Sequence, residues 1–158
     1  MKFVCDTMLA RVARWLRIMG IEAEYYGVVD DDVLIERRPQ GAIILTRDRE
    51  LARRPEAQPC YFVRSTKIWD QLKEIADRFG IHIDWDNILS LCPNCNVELE
   101  PIGKEQARGL VPPFVYATID RFYRCPGCGK IFWEATHTQG MKRILMRTFG
   151  HTGRGDEG

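Results

Sequence analysis

Two Cys-x-x-Cys motifs constrain this chain more than any other feature of its sequence. Cys92 and Cys95 form the first motif, and Cys125 and Cys128 form the second. Four thiolates presented by two tight turns can surround Zn²⁺ as a tetrahedron, which leaves no open position for a catalytic water. The four cysteines therefore predict a structural zinc site with a small zinc-ribbon module folded around it.

The residues around the cysteines fit such a site. Each motif has a proline after its first cysteine, and Asn96 and Gly129 follow the second cysteines. Asparagine and glycine tolerate positive φ, which a tight turn needs if its N–H groups are to point at the sulfurs. The spacer, residues 96–124, is longer than the roughly 15–20 residues of the common spacing. We interpret it as an extended hairpin or an inserted loop.

Other uses of the cysteines are less favoured. A redox dithiol of the thioredoxin type needs a motif between a strand and a helix, which neither motif has. An iron site of the rubredoxin type would use the same four ligands, and the sequence leaves zinc and iron open. Cys5 and Cys60 lie inside apolar stretches and are interpreted as small buried hydrophobic residues.

The chain before the cysteines alternates short apolar segments with amphipathic ones. This alternation predicts an α/β domain with a parallel sheet and helices on both faces. We expect Thr7, Thr46 and Thr66 to cap helices. The predicted strands are 3–5, 22–26, 42–45 and 60–63, and the clearest helices are 8–19, 33–38 and 67–79.

Composition and charge limit the remaining possibilities. The formal net charge is +1, so an electrostatic binding site would have to come from local clustering. No apolar run approaches the roughly 20 residues that a membrane span needs, and the N-terminus does not resemble a secretory signal. We expect a cytoplasmic protein without membrane association.

The predicted units are the α/β domain over 1–88, the zinc ribbon with a C-terminal helix over 89–150, and a disordered tail over 151–158.

Three aspartates stand where predicted strands give way to helices. Asp6 follows the first strand, Asp31 opens the second helical stretch, and Asp48 follows the third strand. Functional groups gather at the carboxyl ends of strands in open α/β sheets. Clustered carboxylates suit Mg²⁺ or Mn²⁺, which can activate water for attack on a phosphodiester. Each aspartate alone could equally be a helix cap or a partner of the helix dipole.

Basic residues offer a candidate surface for a phosphate backbone. Arg11, Arg14 and Arg17 recur every third residue, so they form one stripe on the first helix. The alternative is a solvated helix face, the commoner position for charged residues. The ribbon also interleaves basic with aromatic residues, which could stack on bases or form the ribbon core; the aromatic residues are Phe122, Tyr123, Phe132 and Trp133.

Three stretches, taken in order with the ribbon, resemble a known family. Residues 3–20, 31–34 and 44–51 resemble signature segments of the Mut-seven C-terminal RNase family, a branch of the PIN-like nucleases. That family is similar to this chain in ending with a zinc ribbon and a helix entered near residues 136–141. The resemblance implies a PIN-like fold and divalent-metal-dependent cleavage of RNA.

Carried over by position, the resemblance assigns roles to individual residues. Asp6, Asp31 and Asp48 would be catalytic ligands of Mg²⁺ or Mn²⁺, with Thr46 orienting Asp48. We add Arg47 to the stripe Arg11, Arg14 and Arg17 as expected RNA contacts. Ribosome- or tRNA-related RNA is among the candidate partners. The alternatives are an inactive relative whose zinc module binds RNA or protein, and an iron-containing redox protein.

Overall fold

The computed structural model describes residues 1–134 and 136–149, and it describes no side chains for 136–139. The predicted disordered tail, residues 151–158, lies outside the described residues. None of the helices in the described part of the chain is long and apolar enough to cross a membrane.

A four-stranded parallel sheet forms the first half of the molecule. Its strands are β1 (Lys2–Cys5), β2 (Glu22–Tyr25), β3 (Ile43–Thr46) and β4 (Cys60–Phe62), in the order β2-β1-β3-β4. β1 pairs in parallel with both β2 and β3, and β3 pairs in parallel with β4. Because all four strands run the same way, their carboxyl ends lie along one edge. The predicted parallel α/β sheet is thereby confirmed.

Helices cover both faces of this sheet, as the alternating pattern predicts. The helices are α1 (Ala10–Ile18), α2 (Asp31–Arg37), α3 (Arg49–Arg53) and α4 (Ile68–Phe79). Phe3 packs with buried residues of α1 and α4 on one face. Its neighbour Val4 points to the other face and packs with Leu34 of α2 and Leu51 of α3. β1 is therefore buried on both sides, as its apolar sequence requires.

The helix caps differ from the predicted ones. Asp6 caps a 3₁₀ turn, Thr7–Leu9, that precedes α1, and Asp48 caps α3. Lys67 precedes α4 without a side-chain cap. The assignments of Thr7, Thr46 and Thr66 as caps are therefore wrong. Thr46 does not cap because its hydroxyl bonds to the carboxylate of Asp6, just after the neighbouring strand, whereas Thr7 donates to the carbonyl of Gly27.

The ribbon contains more structure than a hairpin. Strands β5 (Glu100–Ile102), β6 (Phe122–Arg124) and β7 (Ile131–Trp133) form an antiparallel sheet in that order. The long spacer holds two short helices, α5 (Lys104–Ala107) and α6 (Pro113–Thr118). They close a small core in which Ala107, Val111 and Val115 pack against Phe122. Phe122 thus belongs to the core that every ribbon needs.

The last helix connects the end of the chain to the first domain. α7 spans Thr136–Phe149 and buries Leu145 against Met19 and Ile83. Met19 follows α1, and Ile83 lies in the segment after α4. The α/β domain and the C-terminal helix therefore share a hydrophobic cluster.

Gly20→Ala should destabilise the fold more than Gly80→Ala. Both glycines follow a helix at positive φ, +82° and +65°. An added Cβ at Gly20 would lie 2.7 Å from the carbonyl oxygen of Asn87, whereas at Gly80 it would meet nothing within 4 Å. We expect about 1 kcal/mol for the strain at Gly80 and an additional 1–3 kcal/mol or so for the clash at Gly20. Urea denaturation of both variants measures the difference, and equal losses would contradict the clash.

Candidate functional site

The four cysteines of the two motifs converge on one point. Their sulfur atoms all lie within 4.8 Å of one another, and the Sγ atoms of Cys92 and Cys128 are 3.9 Å apart. Tetrahedral zinc with bonds of about 2.3 Å separates its sulfurs by about 3.8 Å. The donor set and its spacing therefore fit a zinc site, and Cys92 and Cys125 are fully buried within it.

Both turns adopt the backbone geometry that the sequence predicts. Asn96 has φ +60° and Gly129 has φ +74°. In the second turn, the N–H groups of Gly127 and Cys128 donate to the Cys125 sulfur over 3.3 and 3.4 Å. These donors stabilise a thiolate, which is the form that binds metal.

The thiols differ in how easily they ionise. Burial raises the pKa of Cys92, and burial together with the other thiols raises the pKa of Cys95 to about 12. Burial opposes ionisation of Cys125 as well, but the N–H groups of Cys128 and Gly127, together with the thiols of Cys92 and Cys128, lower its pKa to about 7. Four adjacent thiolates repel one another, so full ionisation requires a bound cation.

Arg17 holds the first cysteine turn against the α/β domain. The residue is only 7% exposed. Its Nη1 donates to the carbonyl oxygens of Pro93 and Asn94, and its Nε donates to the carbonyl of Ala23 over 2.7 Å. Burial lowers the pKa of the guanidinium, and Glu24 opposes that shift. The prediction that Arg17 contacts RNA is therefore wrong, because its donors face carbonyl groups inside the protein.

Asn96 completes the same junction from the ribbon side. Its Oδ1 accepts the backbone N–H of Ala23 over 2.9 Å, and its Nδ2 donates to Glu24 over 2.9 Å. Ala23 lies on β2, an edge strand, so Arg17 and Asn96 satisfy its outward carbonyl and N–H. Arg14 adds a bond of 2.7 Å to the side chain of Asn94. The first cysteine turn thus covers one edge of the parallel sheet.

Asp6 lies at the end of the central strand and is nearly buried, with 4% exposure. Its Oδ1 accepts the N–H of Thr7 over 2.8 Å, and its Oδ2 accepts the Thr46 hydroxyl over 2.7 Å. A buried carboxylate needs such donors because it has lost its hydration. Each oxygen retains a second lone pair for another partner.

Thr46 connects this carboxylate to the next strand. Its hydroxyl donates to Asp6 and accepts the backbone N–H of Asp48 over 2.9 Å. Asp48 then directs Oδ1 at the N–H groups of Glu50 and Leu51, as the cap of α3. The cap and the candidate ligand are therefore the same residue, and Thr46 fixes the backbone of Asp48 relative to Asp6.

Asp31 approaches the same edge from the start of α2. The preceding loop is tied to the turn after β1, because Thr7 donates to the carbonyl of Gly27 and accepts the N–H of Val29. Burial raises the pKa of the Asp31 carboxyl, and the charges of Asp6 and Asp48 raise it further. Mutual repulsion among these acids means that they share one electrostatic environment.

The carboxylates of Asp6, Asp31 and Asp48 do not form a ligand cluster as compact as that of the four cysteines. Within the described residues, only the four cysteines form a group of three or more such side chains with ligand atoms all within 4.8 Å of one another. Mg²⁺ usually keeps several waters and binds directly through one or two carboxylates. A divalent ion at this edge would therefore have to complete its coordination with waters.

The remaining predicted RNA contacts lie in different surroundings. Arg11 and Arg14 are exposed on α1, and Arg14 is bonded to Asn94. Arg47 is half-buried and donates to the carbonyl oxygens of Val63 and Arg64 over 3.2 and 3.3 Å.

Sequence reasoning missed the junction made by the Asn96 side chain, although the position of Asn96 after a cysteine motif predicts its positive φ.

Comparison with known proteins supplies a family. A family model described as the Mut7-C RNAse domain matches residues 1–145. The exonuclease mut-7 homolog of Homo sapiens is 32% identical to this chain over 103 residues. That match covers 61% of this chain and only 12% of the human protein. No solved structure matches.

Removal of the zinc-site metal should expose the edge of the parallel sheet. We expect a thiol-competing chelator to abolish protection of the Ala23 amide from hydrogen exchange, because Asn96 no longer holds it. The Ile44 amide, bonded to the Pro59 carbonyl on the far side of the sheet, should stay protected.

Asn96→Gly provides the matched variant for that experiment. Glycine accepts the φ of +60° but lacks the amide that bonds Ala23 and Glu24. The variant should bind zinc and still lose Ala23 protection. Unchanged protection of Ala23 after chelation would contradict the proposed junction.

Asp31→Asn should stabilise the protein near neutral pH when no Mg²⁺ or Mn²⁺ is added. The folded chain holds the Asp31 proton more tightly than the unfolded chain, so stability falls as the pH rises from the ordinary value of 3.8 through the raised pKa. The gain should vanish below about pH 3, where both states are largely protonated. Urea midpoints at both pH values measure it, and a loss at neutral pH would show that Asp31 has a stabilising partner.

Proposed function

This chain belongs to the Mut7-C RNase domain family, and from that membership we propose that it is a divalent-metal-dependent ribonuclease with a PIN-like active site. One observation supports the position of that site. A hydrogen-bond chain joins Asp6 to Thr46 and Thr46 to Asp48 across two neighbouring strands, and Asp31 faces the same acidic edge. Similar edges hold functional groups in other open α/β sheets.

In this proposal the three aspartates hold Mg²⁺ or Mn²⁺. When bound, the ion lowers the pKa of a coordinated water and neutralises charge on a phosphate. Asp6 is fixed by Thr7 and Thr46, so its carboxylate keeps one orientation. Asp48 is fixed through its own backbone and through the helix that it caps. Rigid ligands of this kind hold an ion without reorganising when substrate binds.

The relatives agree on the class of reaction. The family description names an RNase, and the human relative is named an exonuclease. Both names describe hydrolysis of phosphodiester bonds in a nucleic acid. The chain spans about 12% of the length of that relative, so its activity, substrate and partners belong to this proposal. A cytoplasmic location and a ribosome- or tRNA-related substrate remain predictions.

The ribbon supports a second candidate role, the binding of RNA without cleavage. A groove of about 390 Å³ runs between the ribbon sheet and the segment after α4. Aromatic rings line it, among them Trp85, Tyr123 and Phe132. Its charged lining residues are Arg121, Lys142, Asp86, Glu98 and Glu134, and Lys142 pairs with Glu134 at 2.6 Å. Bases can stack on such rings, so stacking and not charge supports this role. In the enzyme, the same groove would extend the surface that holds the substrate.

Asp6→Asn and Asp48→Asn should each abolish Mn²⁺-dependent cleavage of RNA. Both substitutions remove a negative charge from the acidic edge. Asp48→Asn keeps an oxygen for the cap of α3, whereas Asp6→Asn keeps an acceptor for only one of its two bonds, so its folding is checked by circular dichroism. We expect at least a roughly hundredfold loss of rate, as for removal of one preorganised electrostatic group. Purified protein is incubated with labelled single-stranded and structured RNAs, with Mn²⁺ or in metal-free buffer, and the products are resolved by size.

Asp77→Asn is the matched control, because Asp77 is an exposed acid on α4 that pairs with Lys73. It should cleave like the unsubstituted protein. Retained cleavage by either active-site variant would refute this assignment of ligands. RNA affinity with no cleavage in any metal would favour the binding role of the ribbon.

A further inference from the structure

We propose that an arginine-lined cleft beside Asp48 binds backbone phosphates of the substrate strand next to the acidic edge. This inference rests on the proposed function, since it concerns the path of a nucleic acid past that site. The cleft has a volume of about 540 Å³. It is lined by Arg47, Arg49, Ala52, Arg53, Phe62 and Arg64.

The cleft lies at the carboxyl end of the sheet. Arg47 and Arg49 flank Asp48, and Arg53 lies one turn further along α3. Phe62 ends β4, which pairs with β3, and Arg64 follows two residues later. The cleft thus gathers four arginines from the ends of two adjacent strands and from one helix, and two of them are the immediate sequence neighbours of Asp48, which the proposed function makes a metal ligand.

The positive charge of this cleft is not neutralised by acids. In the portion of the chain that the structure describes, no carboxylate oxygen lies within 4.0 Å of any of its four guanidinium groups. Arg54 lies next to Arg53 in sequence but pairs with Asp32 at 2.6 Å and with Glu56 at 3.5 Å. Two consecutive arginines therefore differ in their electrostatic surroundings, and only the paired one lies outside the cleft.

Glu74 approaches the cleft from α4 but is already occupied by other donors. Its carboxylate accepts the backbone N–H groups of Arg64 and Ser65, and the hydroxyl groups of Ser65 and Tyr61. These donors hold the pKa of the Glu74 carboxyl below its usual range despite burial. The carboxylate orders the loop after β4 and does not pair with the cleft arginines.

Two of the arginines are held in place before any ligand binds. Arg47 donates to the carbonyl oxygens of Val63 and Arg64. The Arg49 guanidinium lies 5.2 Å from the centre of the Phe62 ring, a cation–π contact. Ordered guanidinium groups lose less conformational entropy when they bind an anion. The cleft is therefore suited to bind an anion without large rearrangement.

A phosphate chain matches this chemistry best. The planar guanidinium forms paired hydrogen bonds to phosphate oxygens, and several such groups in series suit a ligand that repeats its anion. The volume falls in the range of about 300–1,000 Å³ that holds small ligands, which corresponds to a few groups of a single strand and not to a duplex. The adjacent acidic edge would repel the same strand unless a cation were bound there.

Arg49→Gln/Arg53→Gln should weaken binding of single-stranded RNA. Fluorescence anisotropy of a labelled single-stranded oligonucleotide is measured with the full chain in buffer without added Mg²⁺ or Mn²⁺, which leaves the zinc site intact. We expect about tenfold weaker affinity at low salt, and a salt dependence of log K reduced by about 0.7 for each phosphate that is no longer neutralised. Arg64→Gln, outside the helix, serves as a second variant if the double substitution fails to fold.

Arg78→Gln is the matched control. Arg78 is also exposed, and its guanidinium lies 5.8 Å from the ring of Tyr61 on the same strand, β4. Tyr61 packs on the opposite face of the sheet from α3, so this arginine lies outside the cleft. Equal weakening by Arg78→Gln, or an unchanged salt dependence in the cleft variants, would overturn the proposal.

Two further comparisons separate this proposal from the function on which it rests. Oligonucleotides with and without a 5′-phosphate distinguish a terminal from an internal phosphate as the bound group, and either result supports the cleft. Affinity is measured without turnover. A loss of RNA binding in the cleft variants therefore supports the cleft even if the protein cleaves no RNA. If the cleft variants keep both RNA cleavage and RNA affinity, the phosphate-binding role of the cleft is refuted, whereas the proposed nuclease activity is retained.

Discussion

Parallel pairing of β1 with strands on both sides is the constraint on which the candidate active site depends. It places Asp6 between the end of β3 and the loop that leads from β2 to α2. A carboxylate buried at that point must be solvated by the protein, and Thr46 on the adjacent strand supplies a donor. The same hydroxyl accepts the N–H of Asp48, so one threonine sets the geometry between two acids.

The first cysteine turn is joined to the α/β domain by hydrogen bonds to backbone groups. Arg17 uses its guanidinium to bind carbonyl groups of the first cysteine turn, and Asn96 returns a bond to β2. A zinc ion with four thiolates carries a net negative charge, so a buried cation beside it is electrostatically favourable. The four-cysteine site and the acidic edge thus belong to one connected framework, although they lie at opposite ends of α1.

Much of this structure could be predicted from local signals. The cysteine spacing identified the zinc ligands, and Asn96 and Gly129 indicated the positive φ that both turns adopt. Apolar runs predicted the parallel strands because both faces of the sheet are covered by helices. Asp6 and Asp48 could be placed at one edge because each closely follows a strand. These predictions depend on residues that are close in sequence or repeat with a fixed period.

The remainder depends on contacts between distant segments, which periodicity does not encode. Arg17 looked like part of a solvent-facing stripe, but Pro93 and Asn94 cover it from a segment far along the chain. Thr46 was predicted to be a cap because it precedes a helix. Its actual bond to Asp6 crosses between two strands, and no local pattern reveals such a bond. The helices of the ribbon insertion are too short for a clear pattern, and they are stabilised by packing on Phe122.

The surroundings of the two edge strands, β2 and β4, have a consequence for self-association. An unpaired strand edge is a template on which a second molecule can add a strand. On one side, Arg17 and Asn96 occupy the outward groups of Ala23. On the other, β4 is only three residues long and is bordered by arginines that would repel an identical neighbour. At Ala23 the first cysteine turn thus covers one edge of the sheet, and like charge at the other edge disfavours pairing with a second copy.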